Sequence, residues 1–278
     1  MRERIWRKSV ALLLAGALFF AILPIFSANT RKKPPVDWEE IASFTTYYSQ
    51  KDGGRCANIA IAASLIDGVT LQPYGEFSFN QTVGRRTAEA GFRQAKIIVN
   101  GEYVAGVGGG VCQVSTTLYN AALTSGLAVT EFHPHSLRVG YVDPSRDAMV
   151  SSHSDLKLYN PKNTPVFLSA RIFDGGIKIA FFGKKDGGRY AIVAKILEEI
   201  PAPPPIIKAS ESEEKILRKG QAGIRSEAYL ERYEKGCLVS RRRLRTDTYQ
   251  PIQEILAKKK SRRRELKRLK CLQTFVFS

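Results

Sequence analysis

The chain has 278 residues, a length that suits one or two domains with a buried core, and its formal net charge is +17. Residues 258–270 hold nine Lys or Arg and one Glu, whereas residues 43–185 hold fourteen basic and ten acidic residues. Because the excess charge is largely terminal, composition does not make the central region a nucleic-acid binder, and we expect no nucleic-acid partner. A basic tail of this kind also adheres to anionic lipid or other anionic polymers.

The N-terminal segment carries a membrane-targeting pattern. Basic residues precede an uncharged run over residues 10–26, and Arg31, Lys32 and Lys33 follow it. Seventeen residues is short for a span, since about 20 cross the hydrocarbon core. A signal peptide is the alternative, but bulky Phe26 does not suit cleavage after Ala28. We therefore expect residues 1–42 to be a single-pass anchor and linker with the body outside the cytoplasm, or else a secreted form after cleavage.

The elements predicted up to residue 126 mix helices with short strands. A glycine run, Gly108 to Gly110, comes directly before a helical pattern that starts near Cys112. The elements before it are a strand at 44–48, a buried helix at 57–66, a strand at 76–80, and a hairpin of 97–99 with 103–104 around an Asn-Gly turn.

After Gly126 the pattern is typical of strands, predicted at 137–142, 156–159, 166–173 and 177–182. Helices first and strands later predict an α+β fold for a domain over residues 43–185. A proline-rich stretch near residue 200 marks a boundary. We expect a small extended β module at 206–256 and a basic tail at 257–278.

Cys112 is the residue with the clearest chemical signal. A thiol at the start of a helix lies near the positive end of the helix dipole and near unpaired N–H groups, which favour the nucleophilic thiolate. Three glycines before it would let a substrate backbone approach closely. The alternative is a buried Cys in a tight turn.

The other cysteines and the histidines do not form a recognised metal or disulfide pattern. The chain has four Cys and three His, and it contains neither a C-x-x-C pair nor an H-E-x-x-H motif. The sequence therefore predicts no metal site, and the chemistry expected of Cys112 needs no cofactor.

Residues 43–185 resemble the VanW family of bacterial envelope proteins. The matching residues are Arg55, Asn58-Ile59, Gly75 to Asn80, Val83-Gly84, Gly108 to Ala122, His133 to Ser136, Tyr141-Val142, Asp147-Ala148 and Asp155-Leu156. Residues 216–255 show a weaker resemblance to a small five-glycine β module, carried by Gly220, Gly223, Gly236 and Tyr249 to Pro251.

The resemblance implies chemistry on the bacterial cell wall. Some VanW-domain proteins are L,D-transpeptidases of peptidoglycan with a nucleophile at the position of Cys112, although the SHGC-type signature of other such enzymes is missing here. The partner would be the peptidoglycan stem peptide, with anionic wall polymers or lipid held by the tail. The alternatives are a non-catalytic peptidoglycan-binding protein linked to glycopeptide resistance and a cysteine hydrolase with another envelope substrate.

A base for the thiol is sought among the histidines, because imidazole titrates near neutral pH. His133 and His135 would point to opposite faces of an extended segment, so only one can meet Cys112. We expect His135, since it directly precedes the strand predicted at 137–142; the alternative is that both lie in a surface loop. Asp147 or Asp155 would orient the imidazole, or serve in a turn or cap.

The remaining candidates for oxyanion or substrate contact are Gly110, Gln113, Ser115, Thr116, Arg138 and His133. The backbone N–H groups of Cys112 and Gln113, at the helix start, are expected oxyanion donors. Ser115 and Thr116 lie within one turn of the thiol, and they either contact substrate or cap the helix. Arg138 either meets a carboxylate of the stem peptide or is a solvated arginine at a strand edge.

Overall fold

The computed structural model describes residues 33–99, 101–210 and 214–259. These residues form mostly β-strands, with three helices: α1 (Gly53–Ile66), α2 (Phe79–Val83) and α3 (Val111–Thr124). None of the three is both long enough and apolar enough to cross a bilayer. The predicted membrane segment, residues 10–26, lies outside the described residues, as does almost all of the predicted basic tail.

The described strands pair almost entirely in antiparallel fashion. Their sheet orders are β1-β9-β8-β2, β3-β7-β6, β4-β5, β10-β13-β14 and β11-β15-β12 when numbered along the chain. The strands are β1 (Glu39–Tyr47), β2 (Thr70–Leu71), β3 (Glu76–Ser78), β4 (Gln94–Val99), β5 (Glu102–Val107), β6 (Ala128–Glu131), β7 (Lys157–Tyr159), β8 (Val166–Phe173), β9 (Gly176–Gly183), β10 (Gly188–Ile200), β11 (Ile206–Ser210), β12 (Lys215–Arg218), β13 (Gly223–Glu234), β14 (Cys237–Tyr249) and β15 (Ile255–Lys259).

Two predicted strands differ from the structure. Residues 137–142 form no strand. Leu137 and Val139 are buried and their neighbours exposed, which gives the alternation of a strand, but no other strand pairs with this segment. The predicted strand at 76–80 ends at Ser78, whose hydroxyl accepts a hydrogen bond from the Gln81 N–H and so caps α2.

Helix α3 lies at the centre of the core. Nearly all of its residues are buried, including Val114, Leu118 and Ala122. It packs against α1 and against strands β1, β9 and β10. A helix enclosed on so many sides is fixed in place, and it carries Cys112 at its second residue.

The sheet β10-β13-β14, called the downstream sheet below, contacts the loop between β6 and β7. Strand β10 precedes the proline-rich stretch, whereas β13 and β14 follow it. At the end of β14, the Tyr249 hydroxyl accepts a hydrogen bond from the Ser145 N–H (2.7 Å), and the Gln250 N–H donates to the Ser136 carbonyl (2.9 Å). All described residues belong to one compact unit.

Candidate active site

The glycine run holds the start of α3 against the protein itself. Gly110 has φ +107°, and a Cβ at this position would lie 2.9 Å from Cγ of Arg55. A Cβ at Gly109 would lie 2.7 Å from the Lys96 carbonyl oxygen. The Asn58 amide clamps the run by donating to the carbonyls of Gly109 and Arg93, both at 2.9 Å. Gly109 and Gly110 therefore admit neighbouring protein atoms, where the sequence predicted room for a substrate backbone.

Three predicted residues come together beside the N-terminus of α3. His135 Nδ1 lies 2.6 Å from Asp147 Oδ2, and the His135 backbone N–H donates to the same oxygen at 2.7 Å. The Cys112 thiol donates to the Val150 carbonyl at 3.3 Å, and the nearby His135 imidazole lowers the pKa of that thiol. Since Asp147 holds Nδ1, Nε2 is the ring nitrogen left for the thiol. The order thiol, imidazole, carboxylate is the arrangement of a nucleophile, a base and its orienting group.

The pKa values of this set favour an ion pair. Burial lowers the pKa of His135, but hydrogen bonds and charge from Asp147 and Cys112 outweigh burial and raise it to about 9. Burial raises the pKa of Cys112, but the His135 ring, the backbone of Val150 and the charge of Arg86 together outweigh burial, so that the net direction is downward. A half-buried thiol with a lowered pKa beside an imidazolium has the character of a reactive cysteine.

The two rival carboxylates have different partners. Asp147 is 1% exposed and contacts His135, which is 6% exposed. Asp155 instead accepts hydrogen bonds from Ser78 Oγ (2.5 Å) and from the N–H groups of Asn80 (2.8 Å) and Leu156 (2.8 Å). Asp155 therefore serves as a cap beside α2 and does not orient the imidazole.

His133 faces away from the thiol. Its Nε2 lies 3.1 Å from Oε1 of Glu131, and its side chain is 38% exposed. Of the two neighbouring histidines, His135 alone meets Cys112. The loop conformation that achieves this is not the predicted strand; it is fixed by the hydrogen bond from the His135 N–H to Asp147.

Two of the first N–H groups of α3 are already occupied. The Val111 N–H donates to the Gly108 carbonyl (3.1 Å) and the Gln113 N–H to the Gly110 carbonyl (2.9 Å). The Gln113 side chain is also engaged, by Arg55 (2.6 Å). Gln113 is therefore unsuited to the predicted oxyanion role. The Cys112 N–H has no hydrogen-bond acceptor among the described residues and is left as the available donor.

Ser115 and Thr116 hold the loop that carries Asp147. Ser115 Oγ donates to the Ala148 carbonyl at 2.7 Å, and Thr116 Oγ1 accepts from the Ala148 N–H at 2.9 Å. Both residues are fully buried, which rules out the predicted contact with substrate. On the other side of Asp147, Asn120 Nδ2 donates to the Arg146 carbonyl at 2.8 Å. The thiol helix thus binds both neighbours of the carboxylate.

Arg138 is exposed and has no hydrogen-bond or ion-pair partner in the part of the chain that the structure describes. The described residues also contain no group of three or more His, Cys, Asp or Glu that could hold a metal ion. Arg138 therefore makes no contact with Cys112, His135 or Asp147 in the described structure.

Sequence reasoning missed three basic or polar residues near this set. Arg86 packs beside Gly108, donates to Asn80 Oδ1 (2.8 Å) and lowers the pKa of Cys112. Arg245 and Tyr249, from β14, hydrogen-bond Asp147. The signal for the last two was an Arg-x-Asp-x-Tyr alternation, which places Arg245, Asp247 and Tyr249 on one face of a strand.

The site lies in a region with known relatives. A family model described as "VanW like protein" matches residues 54–182, which include Cys112, His135 and Asp147. This segment belongs to the VanW family. Arg245 and Tyr249 lie beyond the end of the matched VanW domain.

Two other similarities were found. The "Uncharacterized protein YoaR" of Bacillus subtilis (strain 168) is 36% identical over 170 residues, which are 61% of this chain and 54% of YoaR. The chain therefore spans about half the length of this curated relative. A solved structure titled "Crystal structure of HP0197-G5" matches 25% of this chain and 97% of its own, with 19% identity and a TM-score of 0.15.

Proposed function

We propose that the chain is a cysteine acyltransferase of the L,D-transpeptidase type that acts on peptidoglycan stem peptides. The observation that supports this is the grouping of Cys112, His135 and Asp147 beside the start of α3, in which Asp147 holds the imidazole and the imidazole lowers the pKa of the thiol. Membership of the VanW family supports the cell wall as the place of action. The reaction class follows from the thiol and imidazole, which are the groups that covalent acyl transfer requires.

In the first half-reaction the Cys112 thiolate attacks the carbonyl that joins an L-centre to a D-centre in a donor tetrapeptide. The Cys112 N–H, which has no acceptor among the described residues, donates to the developing oxyanion in this proposal. His135, protonated in the ion pair, gives its proton to the leaving amine. The carbon–nitrogen bond breaks, the terminal D-residue departs with that proton, and a thioester remains on Sγ.

In the second half-reaction an amine from a neighbouring stem attacks the thioester. Neutral His135 accepts the proton that the amine loses, and the thiolate leaves, which restores the ion pair and forms a crosslink. Water as the acceptor gives a carboxypeptidase by the same steps. Asp147 holds the ring in one tautomer throughout, through its bond to Nδ1.

The proposal places the body of the chain outside the cytoplasm, anchored by residues 10–26, with the basic residues of 257–278 against anionic wall polymers or lipid. Protease added to intact spheroplasts should then digest residues 43–185. Complete protection of this region would contradict the cell-wall assignment.

The direct test incubates the full chain, purified in detergent, with a muropeptide that carries a tetrapeptide stem. Mass spectrometry should show a thioester adduct on Cys112 and release of the terminal D-amino acid. Cys112→Ala should abolish both, because it removes the nucleophile. Cys56→Ala is the matched control, since Cys56 is also half-buried at the start of a helix but hydrogen-bonds only the Ser49 carbonyl.

A different result would favour the binding alternative. If wild type and Cys112→Ala bind the muropeptide equally and neither releases a D-amino acid, the domain is a peptidoglycan-binding module. Circular dichroism of both proteins would establish that each is folded in that comparison.

A further inference from the structure

The last residues of β14 present a buried polar face. Arg245, Asp247 and Tyr249 alternate along the strand, and each is less than a tenth exposed. A buried face of a sheet is normally apolar, because unpaired polar groups are costly to bury. Three polar side chains in a row on such a face indicate a partner of matching chemistry opposite them.

That partner is the carboxylate of Asp147. The Tyr249 hydroxyl donates to Asp147 Oδ1 at 2.5 Å, and Arg245 Nη2 lies 3.4 Å from the same oxygen. Arg245 Nη1 also donates to the Asp147 backbone carbonyl. Oδ2 is used by His135, so β14 occupies the other oxygen. The carboxylate is thus held between the imidazole on one side and the downstream sheet on the other.

Arg245 is itself fixed on several sides. Its Nε donates to Asp247 Oδ2 at 2.6 Å. Its guanidinium carbon lies 4.9 Å from the ring centre of Phe132 and 6.0 Å from that of Tyr119, which belongs to α3. A guanidinium held by an ion pair and two rings has little freedom to turn, so it presents a rigid donor to Asp147.

We infer that Arg245 and Tyr249 are positioning residues for the Cys112 site, and that the downstream sheet is therefore a working part of it. The matched VanW segment ends at residue 182 and contains the thiol, the imidazole and the carboxylate. The groups that hold Oδ1, the oxygen of Asp147 that His135 does not use, come from residues 245–249. This inference rests on the proposed function only for the reaction served; the contacts themselves concern the thiol and its base.

The charged and titratable groups around the set come from both parts of the chain. Cys112 is faced by His135, Arg86 and Tyr141, all upstream of residue 182. Asp147 is faced by His135, Tyr141 and Tyr119, and by Arg245 and Tyr249 from β14. Loss of a β14 donor weakens the hold on ionised Asp147, which in turn supports the imidazolium beside the thiolate.

The experiment uses the full chain with Cys112 as its only cysteine (Cys56→Ser, Cys237→Ser, Cys271→Ser) and introduces Tyr249→Phe or Arg245→Lys. Two signals are measured without any peptidoglycan: the rate of Cys112 alkylation by iodoacetamide against pH, and the downfield NMR resonance of the His135 Nδ1 proton. We expect alkylation at pH 7 to slow about two- to ten-fold, the factor that corresponds to the net contribution of one hydrogen bond to the carboxylate. The midpoint of the profile should rise, and the resonance should shift or broaden.

Tyr229→Phe and Arg243→Lys are the matched controls. Both residues lie on the downstream sheet and contact Glu227, away from Asp147, so both signals should stay as in the parent. Phe at position 249 also leaves the Ser145 N–H without its acceptor, so a lower melting temperature is expected and does not decide the question. Should Arg245→Lys not fold, Tyr249→Phe decides alone.

The inference is overturned if Tyr249→Phe matches its control in alkylation profile and in the His135 resonance. Its failure is separable from that of the proposed function. Changed thiol signals without any release of D-amino acid by the parent chain would keep the positioning role and end the transpeptidase proposal. Release of D-amino acid by the parent chain together with unchanged thiol signals in Tyr249→Phe would support the transpeptidase proposal and end the positioning role.

Discussion

Replacement of Asp147 by Asn should disable the thiol while leaving the shape of the site intact. The carboxylate oxygens of Asp147 accept from the N–H and Nδ1 of His135, from the Tyr249 hydroxyl and from Arg245. An amide offers one acceptor oxygen in place of two, so the donors on one side lose their partner. Each unpaired buried donor costs about 1–3 kcal/mol, so we expect a loss of about 2–4 kcal/mol in the free energy of unfolding.

The effect on reactivity follows from the charge. The pKa of His135 is raised from 6.5 to about 9, and this corresponds to a preference of about 3 kcal/mol for the imidazolium. If Asp147 supplies half of that preference, its neutralisation reduces the imidazolium–thiolate pair about ten-fold. Alkylation of Cys112 at pH 7 should slow accordingly, and the proposed acyl transfer should slow further because the ring loses its fixed tautomer.

Asp155→Asn is the matched control for this variant. Asp155 is also a buried carboxylate that accepts three hydrogen bonds, but none comes from the imidazole. It should therefore lower stability by a similar amount and leave the alkylation rate and its pH midpoint unchanged. The assay is iodoacetamide labelling in the background with Cys112 as the only cysteine, alongside thermal unfolding. Equal slowing by the two variants would refute the role assigned to Asp147.

Three further predictions concern neighbouring residues. His135→Ala should slow thioester formation by about two to four orders of magnitude, as expected of a general base, whereas His133→Ala should leave its rate nearly unchanged. Single-turnover kinetics with a muropeptide measure this rate, and equal rates in the two variants would contradict the role of His135. Gly110→Ala should lower stability by about 1–3 kcal/mol, because φ is +107° and the Cβ would meet Arg55; an unchanged melting temperature would be contrary to this packing. His135 has a raised pKa, so its stabilising contribution, up to about 3 kcal/mol, is complete below pH 6.5 and is lost as the pH rises through about 9; denaturant unfolding of wild type and His135→Gln should converge over that range, and a constant difference would argue against the ion pair.

The local parts of the structure were accessible from the sequence. The helix behind the glycine run, the hairpin and the strand pair that forms β8 and β9 have strong periodic or turn signals, and all are present. The strand predicted at 137–142 was wrong, because burial of Leu137 and Val139 gives a strand-like alternation wherever a segment lies on a core, with or without a pairing strand.

The candidate site was accessible only in part. Cys112 has a local signal, and the spacing of His133 and His135 restricted the base to one of the two. The choice between Asp147 and Asp155, and the contribution of Arg245 and Tyr249, depend on contacts between residues far apart in the chain. Alternation alone shows that Arg245 and Tyr249 share a face, but it does not show that Asp147 lies opposite them.

The hydrogen bonds between α3 and the loop around Asp147 have a consequence for motion in the site. Ser115, Thr116 and Asn120 bind the residues on both sides of Asp147, so nucleophile and carboxylate move as one rigid body although 35 positions separate them in the sequence. The imidazole belongs to the same frame, because its Nδ1 and its backbone N–H both bond Asp147. Passage of a proton from the thiol side to a departing or arriving amine is then a transfer at Nε2 of a ring that stays in place, and it requires no opening of the loop.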